Sequence, residues 1–187
     1  SRAAPVSSTL SAHMNATAKK KSLFVRTGDL LRSNPFSGYW VASVVLATQE
    51  RTDQFSELCL VGVTGTVLSH EFTKDDLDIE KLTLLRQPNR LQVEVPCIYI
   101  YAAKLNDSVS VVGNIDSPHL YSEPLRFEIG DGQNGKWPSC GKLVPSLGSQ
   151  SVHAWRKIND YEQWSRDVEA ARQSHQEMIA RLKAKAK

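Results

Sequence analysis

Several short apolar runs separated by sharp turns lie between Leu23 and Tyr101, and they limit the possible folds more than any other feature of this chain. The clearest run, YWVASVVLAT at Tyr39–Thr48, has the β-branched composition of a central strand. A turn and a loop are predicted for residues 27–38, which contain Asn34-Pro35 and Ser37-Gly38. The other predicted strands are Ser22–Arg26, Phe55–Val63, Thr66–Phe72, Ile79–Leu85 and Leu91–Tyr101. Because the connections are short, the pattern predicts a mainly β fold with a small closed or nearly closed barrel.

The runs divide the chain into four segments. We expect a basic N-terminal arm at 1–22, the β-barrel at 23–103, an irregular β and loop extension at 104–151, and a C-terminal helix at 152–187. Within the extension, Val109–Val112 and Leu125–Ile129 are predicted strands. The helical pattern runs from Asn159 or Asp160 to Lys183. One face of it carries Trp164, Val168, His175, Met178, Ile179 and Leu182. Such a face docks along a partner or along its own domain.

Charge is distributed unevenly along the chain. Residues 1–28 contain five Lys or Arg and no acid, and residues 155–187 contain eight Lys or Arg against five Asp or Glu. The formal net charge of the whole chain is only +3, so the middle is acidic. We therefore expect contacts with a polyanion to be concentrated at the two extensions. Solvated, unpartnered ends are the alternative interpretation.

The first twenty residues are rich in Ser and Ala and lack acids, which is typical of a mitochondrial targeting segment or of the arm that remains after its cleavage. Met14 as the start, with the residues before it as cloning remnants, is the alternative. The three cysteines, Cys59, Cys97 and Cys140, are widely spaced, which favours a reducing compartment. No apolar run is long enough to span a bilayer, so no membrane insertion is expected.

The segment from Phe24 to Tyr101 resembles the bacterial-type large-subunit ribosomal protein family numbered nineteen, in a divergent mitochondrial form. The R-x-G-D turn of that family is matched by Arg26-Thr27-Gly28-Asp29, and its V-V-I-A strand end by Ser43–Ala47. The closing K-L-Y-Y-L of the family is similar to Ile98-Tyr99-Ile100-Tyr101. Further matching positions are Phe55, Gly65, Leu68, His70, Phe72, Asp76, Ile79, Leu82, Leu84 and Arg86. The chain departs from the family at the last strand, where Gln92, Glu94 and Pro96 replace basic residues.

The resemblance implies an SH3-like barrel that is a structural constituent of the mitochondrial large ribosomal subunit, located in the matrix. It implies rRNA and neighbouring ribosomal proteins near the subunit interface as partners, with no catalysis, cofactor, metal or small-molecule substrate. Cationic side chains at the arm, the barrel loops and the helix end are the expected RNA contacts, since they bind phosphates without sequence preference. They are Lys19, Lys20, Lys21, Arg26, Arg32, Arg51, Arg86, Arg90, Arg156, Lys157, Lys183 and Lys185.

Two other functions compete with this one. The first is a nucleic-acid-binding or regulatory protein outside the ribosome. Tyr39, Trp40, Trp155 and Trp164 are candidates for stacking on bases, but their spacing favours core or interface packing. The second is a nucleotide hydrolase, because Gly130–Lys136 has the G-x-x-x-x-G-K spacing of a phosphate-binding loop. Trp137-Pro138 follows instead of Ser or Thr and a helix start, which favours a surface loop. The acidic cluster Asp75, Asp76, Asp78 and Glu80 is predicted to be a solvated turn.

Overall fold

The computed structural model describes residues 24–50, 57–105, 107–116 and 119–185. Two helices follow the strands, α1 at Ser149–Asn159 and α2 at Tyr161–Lys185, and two turns of 3-10 helix occur at Lys74–Asp76 and Ile79–Lys81. The strands are β1 Asp29–Phe36, β2 Tyr39–Gln49, β3 Leu58–Leu68, β4 Arg86–Pro88, β5 Glu94–Pro96, β6 Ile98–Ala102, β7 Val109–Asn114, β8 Glu128–Ile129, β9 Lys136–Trp137 and β10 Ser139–Lys142. The prediction of a mainly β chain with a C-terminal helix is confirmed.

Six strands form one sheet in the order β10-β6-β3-β2-β1-β7. Its neighbouring strands are antiparallel, apart from β10, which runs parallel to β6. The outer strands β10 and β7 are not paired with each other in the described residues, so the sheet is not closed into a barrel. The described sheet is therefore open, and the SH3-like barrel that the resemblance implies is not confirmed.

Both faces of this sheet are buried, and neighbouring residues of one strand enter different cores. Leu31, Val45 and Val61 belong to a core that includes Leu143 and Leu147. Leu30, Val44 and Leu60 belong to a second core on the opposite face, with Phe72, Leu82 and Trp137. Strands that are covered on both sides need continuous apolar runs, which explains the sequence of β2.

Hydroxyl groups complete the hydrogen bonding where β2 and β3 change register, between the pairs Val41–Val67 and Ser43–Val63. The hydroxyl of Thr64 donates to the carbonyl of Ala42 at 2.7 Å, and the carbonyl of Thr64 accepts from the hydroxyl of Ser151 at 2.5 Å. Ser151 is buried in α1, so this bond fixes α1 on the sheet. The buried Ser33 hydroxyl similarly donates to the Leu147 carbonyl at 2.6 Å, just before α1.

The strand predictions for residues 29–36 and 55–72 need correction. Residues 29–36 were expected to form a turn and a loop, yet they form β1. Pro35 is tolerated there because the β1–β2 register shifts between Ser33 and Phe36, where the lost N–H is not needed. The two predicted strands form one strand, β3, which shifts register against β2 between Val63 and Val67, around Gly65. Residues 55 and 56 of the first predicted strand lie outside the described residues. A Cβ on Gly62 would lie 2.6 Å from Leu84 Cδ2, so this glycine permits close packing.

One further strand prediction is wrong. Ile79–Leu85 is not a strand, because Ile79–Lys81 forms a 3-10 turn after Asp78. The predicted helix from Asn159 or Asp160 to Lys183 is confirmed as α2, but a separate helix, α1, precedes it from Ser149 to Asn159 and was not predicted. Gly148, with φ of 82°, starts α1 and packs so closely on Val41 that a Cβ would lie 2.5 Å from its Cγ1. The Ser- and Gly-rich composition of 146–151 hides this start from sequence patterns.

The described helices are all too short or too polar to cross a membrane.

Candidate nucleic-acid interface

The predicted RNA-binding cations do not converge on one surface in the described part of the chain. Lys19, Lys20, Lys21 and Arg51 lie outside the described residues. The remaining eight separate into two arginines that are held by the fold and six side chains that are exposed. The local environment of each one decides what it can bind.

Arg32 is held inside the molecule. Its guanidinium donates from Nη1 to the carbonyl of Phe72 at 2.5 Å and forms a salt bridge with Glu71. It also lies over the ring of Trp40, at 5.3 Å from the ring centroid. These contacts connect β1 to the segment after β3, so Arg32 stabilises the fold and presents little charge to solvent.

Arg156 is also buried, at 9% exposure, and it joins α1 to both the sheet and α2. Its guanidinium lies 4.5 Å from the ring centroid of Tyr39 and 5.0 Å from that of Phe36, near the β1–β2 turn. Nη1 donates to Oδ2 of Asp167 in α2 at 2.6 Å. Desolvation raises the pKa of Asp167, but hydrogen bonds from Gln163 and Arg156 outweigh it, and the pKa falls below its usual range. We call this cluster of Phe36, Tyr39, Arg156 and Asp167 the helix junction.

Three of the exposed cations lie on the sheet side of the molecule. Arg26 is exposed beside the turn that precedes β1, where its backbone N–H donates to Asp29 at 2.7 Å. Arg86 and Arg90 are exposed on the small β4–β5 hairpin, and Arg86 donates to the carbonyl of Glu94 at 2.8 Å. Arg90 is thus exposed in the turn of this hairpin, where it is available to a partner.

The other three exposed cations follow the helices. Lys157 lies over the ring of Trp164, with Nζ 5.5 Å from the centroid. Lys183 and Lys185 are exposed in the last turn of α2. Since an α-helix rises about 1.5 Å per residue, this end lies roughly 37 Å from the start of α2. Sequence reasoning missed Arg166, Arg172 and Arg181, which are also exposed on α2, because they alternate with acids.

The four candidate stacking aromatics all have partners within the protein. Tyr39 meets Trp155 edge-on with centroids 5.7 Å apart, and Trp164 lies 5.2 Å from Tyr161. Trp40 is covered by Arg32. These contacts favour the packing interpretation of the aromatic residues over base stacking.

The Gly130–Lys136 loop lacks the parts of a phosphate-binding loop. Lys136 begins strand β9 and β10 follows at Ser139, so no helix N-terminus faces the loop. Its Nζ lies 3.7 Å from Oε2 of Glu128. The loop instead borders a cavity of about 250 Å³ that also touches Arg86 and the buried Trp137. This geometry favours the surface-loop interpretation.

The buried cysteines and the acidic cluster have contacts that stabilise the fold. Burial raises the pKa of Cys59 to about 12 and that of Cys97 to about 11, which makes both thiols poor nucleophiles. In the acidic cluster, Asp76 accepts from the Thr73 N–H at 2.7 Å, which lowers its pKa and caps a 3-10 turn. Within the described ranges, no group of three or more His, Cys, Asp or Glu is placed to hold a metal ion.

Comparisons of the chain with protein-family models, with curated proteins and with solved structures find no match. The ribosomal-family resemblance therefore rests on the motifs of residues 24–101 alone. The geometry adds a division of the described cations, into those that stabilise the fold and those that are free at the hairpin and at the end of α2.

Proposed function

We propose that this protein is a non-catalytic structural component of an RNA-containing assembly, and that this assembly is the mitochondrial large ribosomal subunit that the resemblance implies. The observation that carries the proposal is the exposed positive charge at the end of α2 and in the turn of the β4–β5 hairpin. Lys183 and Lys185 end a helix in which no residue is buried, and Arg90 is exposed in the hairpin turn. Exposed cations of this kind bind phosphates without sequence preference.

The basic N-terminal arm strengthens the proposal at the level of the sequence. Lys19, Lys20 and Lys21 precede the sheet without any neighbouring acid. The two extensions together carry the positive charge that the acidic middle lacks. A non-ribosomal nucleic-acid-binding role uses the same cations, so the assembly must be identified by experiment.

Sucrose-gradient sedimentation of the native protein, with and without ribonuclease, tests the assembly. We expect the protein to travel with large subunits and to return to the top of the gradient after RNA digestion. Sedimentation with another RNA-containing particle would favour the non-ribosomal role. Recovery of the intact protein at the top of the gradient without ribonuclease would overturn both.

Charge-neutral variants test the cationic end directly. K183Q/K185Q should bind a structured RNA more weakly, and the slope of log affinity against log salt should fall by about 2. The matched control is K104Q/K142Q, which removes two exposed lysines from the body of the protein. An equal loss in the control would show that total charge matters and that the helix end does not.

A further inference from the structure

The helix α2 carries an apolar stripe that its own body leaves uncovered. All 25 residues of Tyr161–Lys185 are described, and none is buried. Val168 is 46% exposed, Met178 is 51% exposed and Leu182 is 60% exposed. Isolated helices are marginal in water, and most gain their stability by packing an amphipathic face. This stripe therefore needs a partner surface.

The spacing of the stripe identifies the kind of partner. Alternating steps of three and four residues connect Tyr161, Trp164, Val168, Ala171, His175, Met178 and Leu182. This is the a and d pattern of a heptad repeat, maintained through three heptads. A strict seam of this period fits the same kind of seam on another helix rather than a flat sheet.

We propose that α2 pairs with α2 of a second copy of this chain, as an antiparallel coiled coil. The helix is suited to such pairing because its midpoint, residue 173, is also the centre of the a and d positions from Trp164 to Leu182. Each large a or d residue then meets a complementary one in the second copy. Trp164 faces Leu182, Val168 faces Met178, and the small Ala171 faces the bulkier His175.

The flanking charges also favour this arrangement, but only weakly. The g positions place Asp167 beside Arg181 of the second copy, and the symmetry of the pair repeats this contact. Asp167 already accepts hydrogen bonds from Arg156 and Gln163 of its own chain, so its attraction for Arg181 is weaker than that of an unpaired acid. Arg172 at position e faces Arg172 of the second copy, but each is already paired with its own Glu169 at 2.9 Å. The apolar seam therefore contributes more to the pairing than the charges beside it.

The helix junction also favours the antiparallel orientation over the parallel one. Arg156 and Asp167 attach the body to the first turns of α2, so antiparallel pairing keeps the two bodies at opposite ends. Parallel pairing would bring the bodies together and would stack His175 on His175 and Ala171 on Ala171. A symmetric antiparallel pair also opposes the two helix dipoles.

Sedimentation equilibrium of the full chain tests the pairing. We expect a concentration-dependent dimer, with V168D/M178D raising the dissociation constant at least tenfold. The matched control A170D/A180D places the same two acids on the outer face of α2 and should leave the dimer intact. A wild-type chain that stays monomeric at tens of micromolar would overturn the proposal, as would a dimer that V168D/M178D does not weaken.

Cysteine cross-linking tests the orientation in a C140S background, because Cys140 is the exposed thiol of the three. A mixture of A171C and H175C chains should form covalent dimers on oxidation, and H175C alone should not. Efficient cross-linking of H175C alone would indicate parallel pairing and would overturn the antiparallel arrangement. These measurements use no RNA, so their outcome is separate from the test of the proposed function.

Discussion

The sheet and α2 differ in how much of their surface the protein itself buries. The central strands bury side chains on both faces, and Leu60, Val61 and Val63 have no exposed surface. In α2 every residue contacts solvent, and the helix is attached to the body near its first turns. The sheet is therefore stabilised by burial within its own chain, whereas the exposed side chains of α2 are available for contacts outside the chain.

The same contrast separates the positive charges. Arg32 and Arg156 contact the body through rings and carboxylates, whereas Lys183 and Lys185 meet only solvent in the described structure. From the sequence alone, all four residues are equally good candidates for RNA contacts. They differ in burial: Arg32 and Arg156 stabilise the fold, whereas Lys183 and Lys185 are available to bind RNA.

Truncating one leucine in each region should give the largest difference. L60A removes a fully buried side chain between two strands, and we expect it to lower the free energy of unfolding by about 2–5 kcal/mol. L182A removes an exposed side chain, and it should change unfolding of the body by less than about 0.5 kcal/mol. Urea unfolding at low protein concentration measures both. Equal decreases in the free energy of unfolding for L60A and L182A would contradict the division into a buried sheet and an exposed helix.

Breaking the helix junction should have an intermediate effect. R156A removes the ion pair to Asp167 and the contacts with Tyr39 and Phe36, and we expect it to cost roughly 2 kcal/mol. Thermal unfolding measures the loss. The control is R181A, whose exposed side chain lies 3.9 Å from Glu177 and should contribute little.

The effect of R156A should also depend on pH. The pKa of Asp167 is lowered in the folded state, so its contribution is present above the unfolded carboxyl pKa and disappears as the pH falls through the lowered value. The difference between wild type and R156A should therefore shrink in acid. A difference that stays constant would show that Arg156 acts only through the aromatic rings.

The smallest effect concerns thiol reactivity and leaves the fold unchanged. Iodoacetamide at pH 8 should modify the exposed Cys140 well before Cys59 and Cys97, because burial raises the pKa of both buried thiols to about 12 and about 11. Mass spectrometry of timed samples gives the order. Early labelling of Cys59 would mean that β3 opens locally more often than expected for a strand buried on both faces.

Sequence patterns predicted the parts of this fold that depend on local composition. The β-branched run 39–48 gave β2, and the helical pattern from Asn159 or Asp160 gave most of α2. Strand β1 was missed because Asn34-Pro35 signals a loop locally, while the register shift that accommodates Pro35 is set by β2. The 3-10 turn at Ile79–Lys81 was missed because its apolar residues serve a core that forms from distant segments.

The candidate site was less predictable than the fold. Whether an arginine is free depends on partners far away in sequence, such as Phe72 for Arg32 and Tyr39 for Arg156. The cavity between Arg86 and the Gly-rich loop likewise joins residues that are far apart in sequence. A lysine at the end of a helix has few such partners, which explains why composition was a better guide there.

The bond from Ser151 to Thr64 has a consequence for how the chain reaches its native state. The central strand β3 depends on a hydroxyl that is 87 residues further along the chain, and β1 similarly depends on the Leu147 carbonyl. During synthesis these hydrogen bonds of the sheet cannot form until α1 has been made, since contacts of such large sequence separation form late. Termination after Asn159 should therefore still yield a folded body, whereas termination before Ser149 should not.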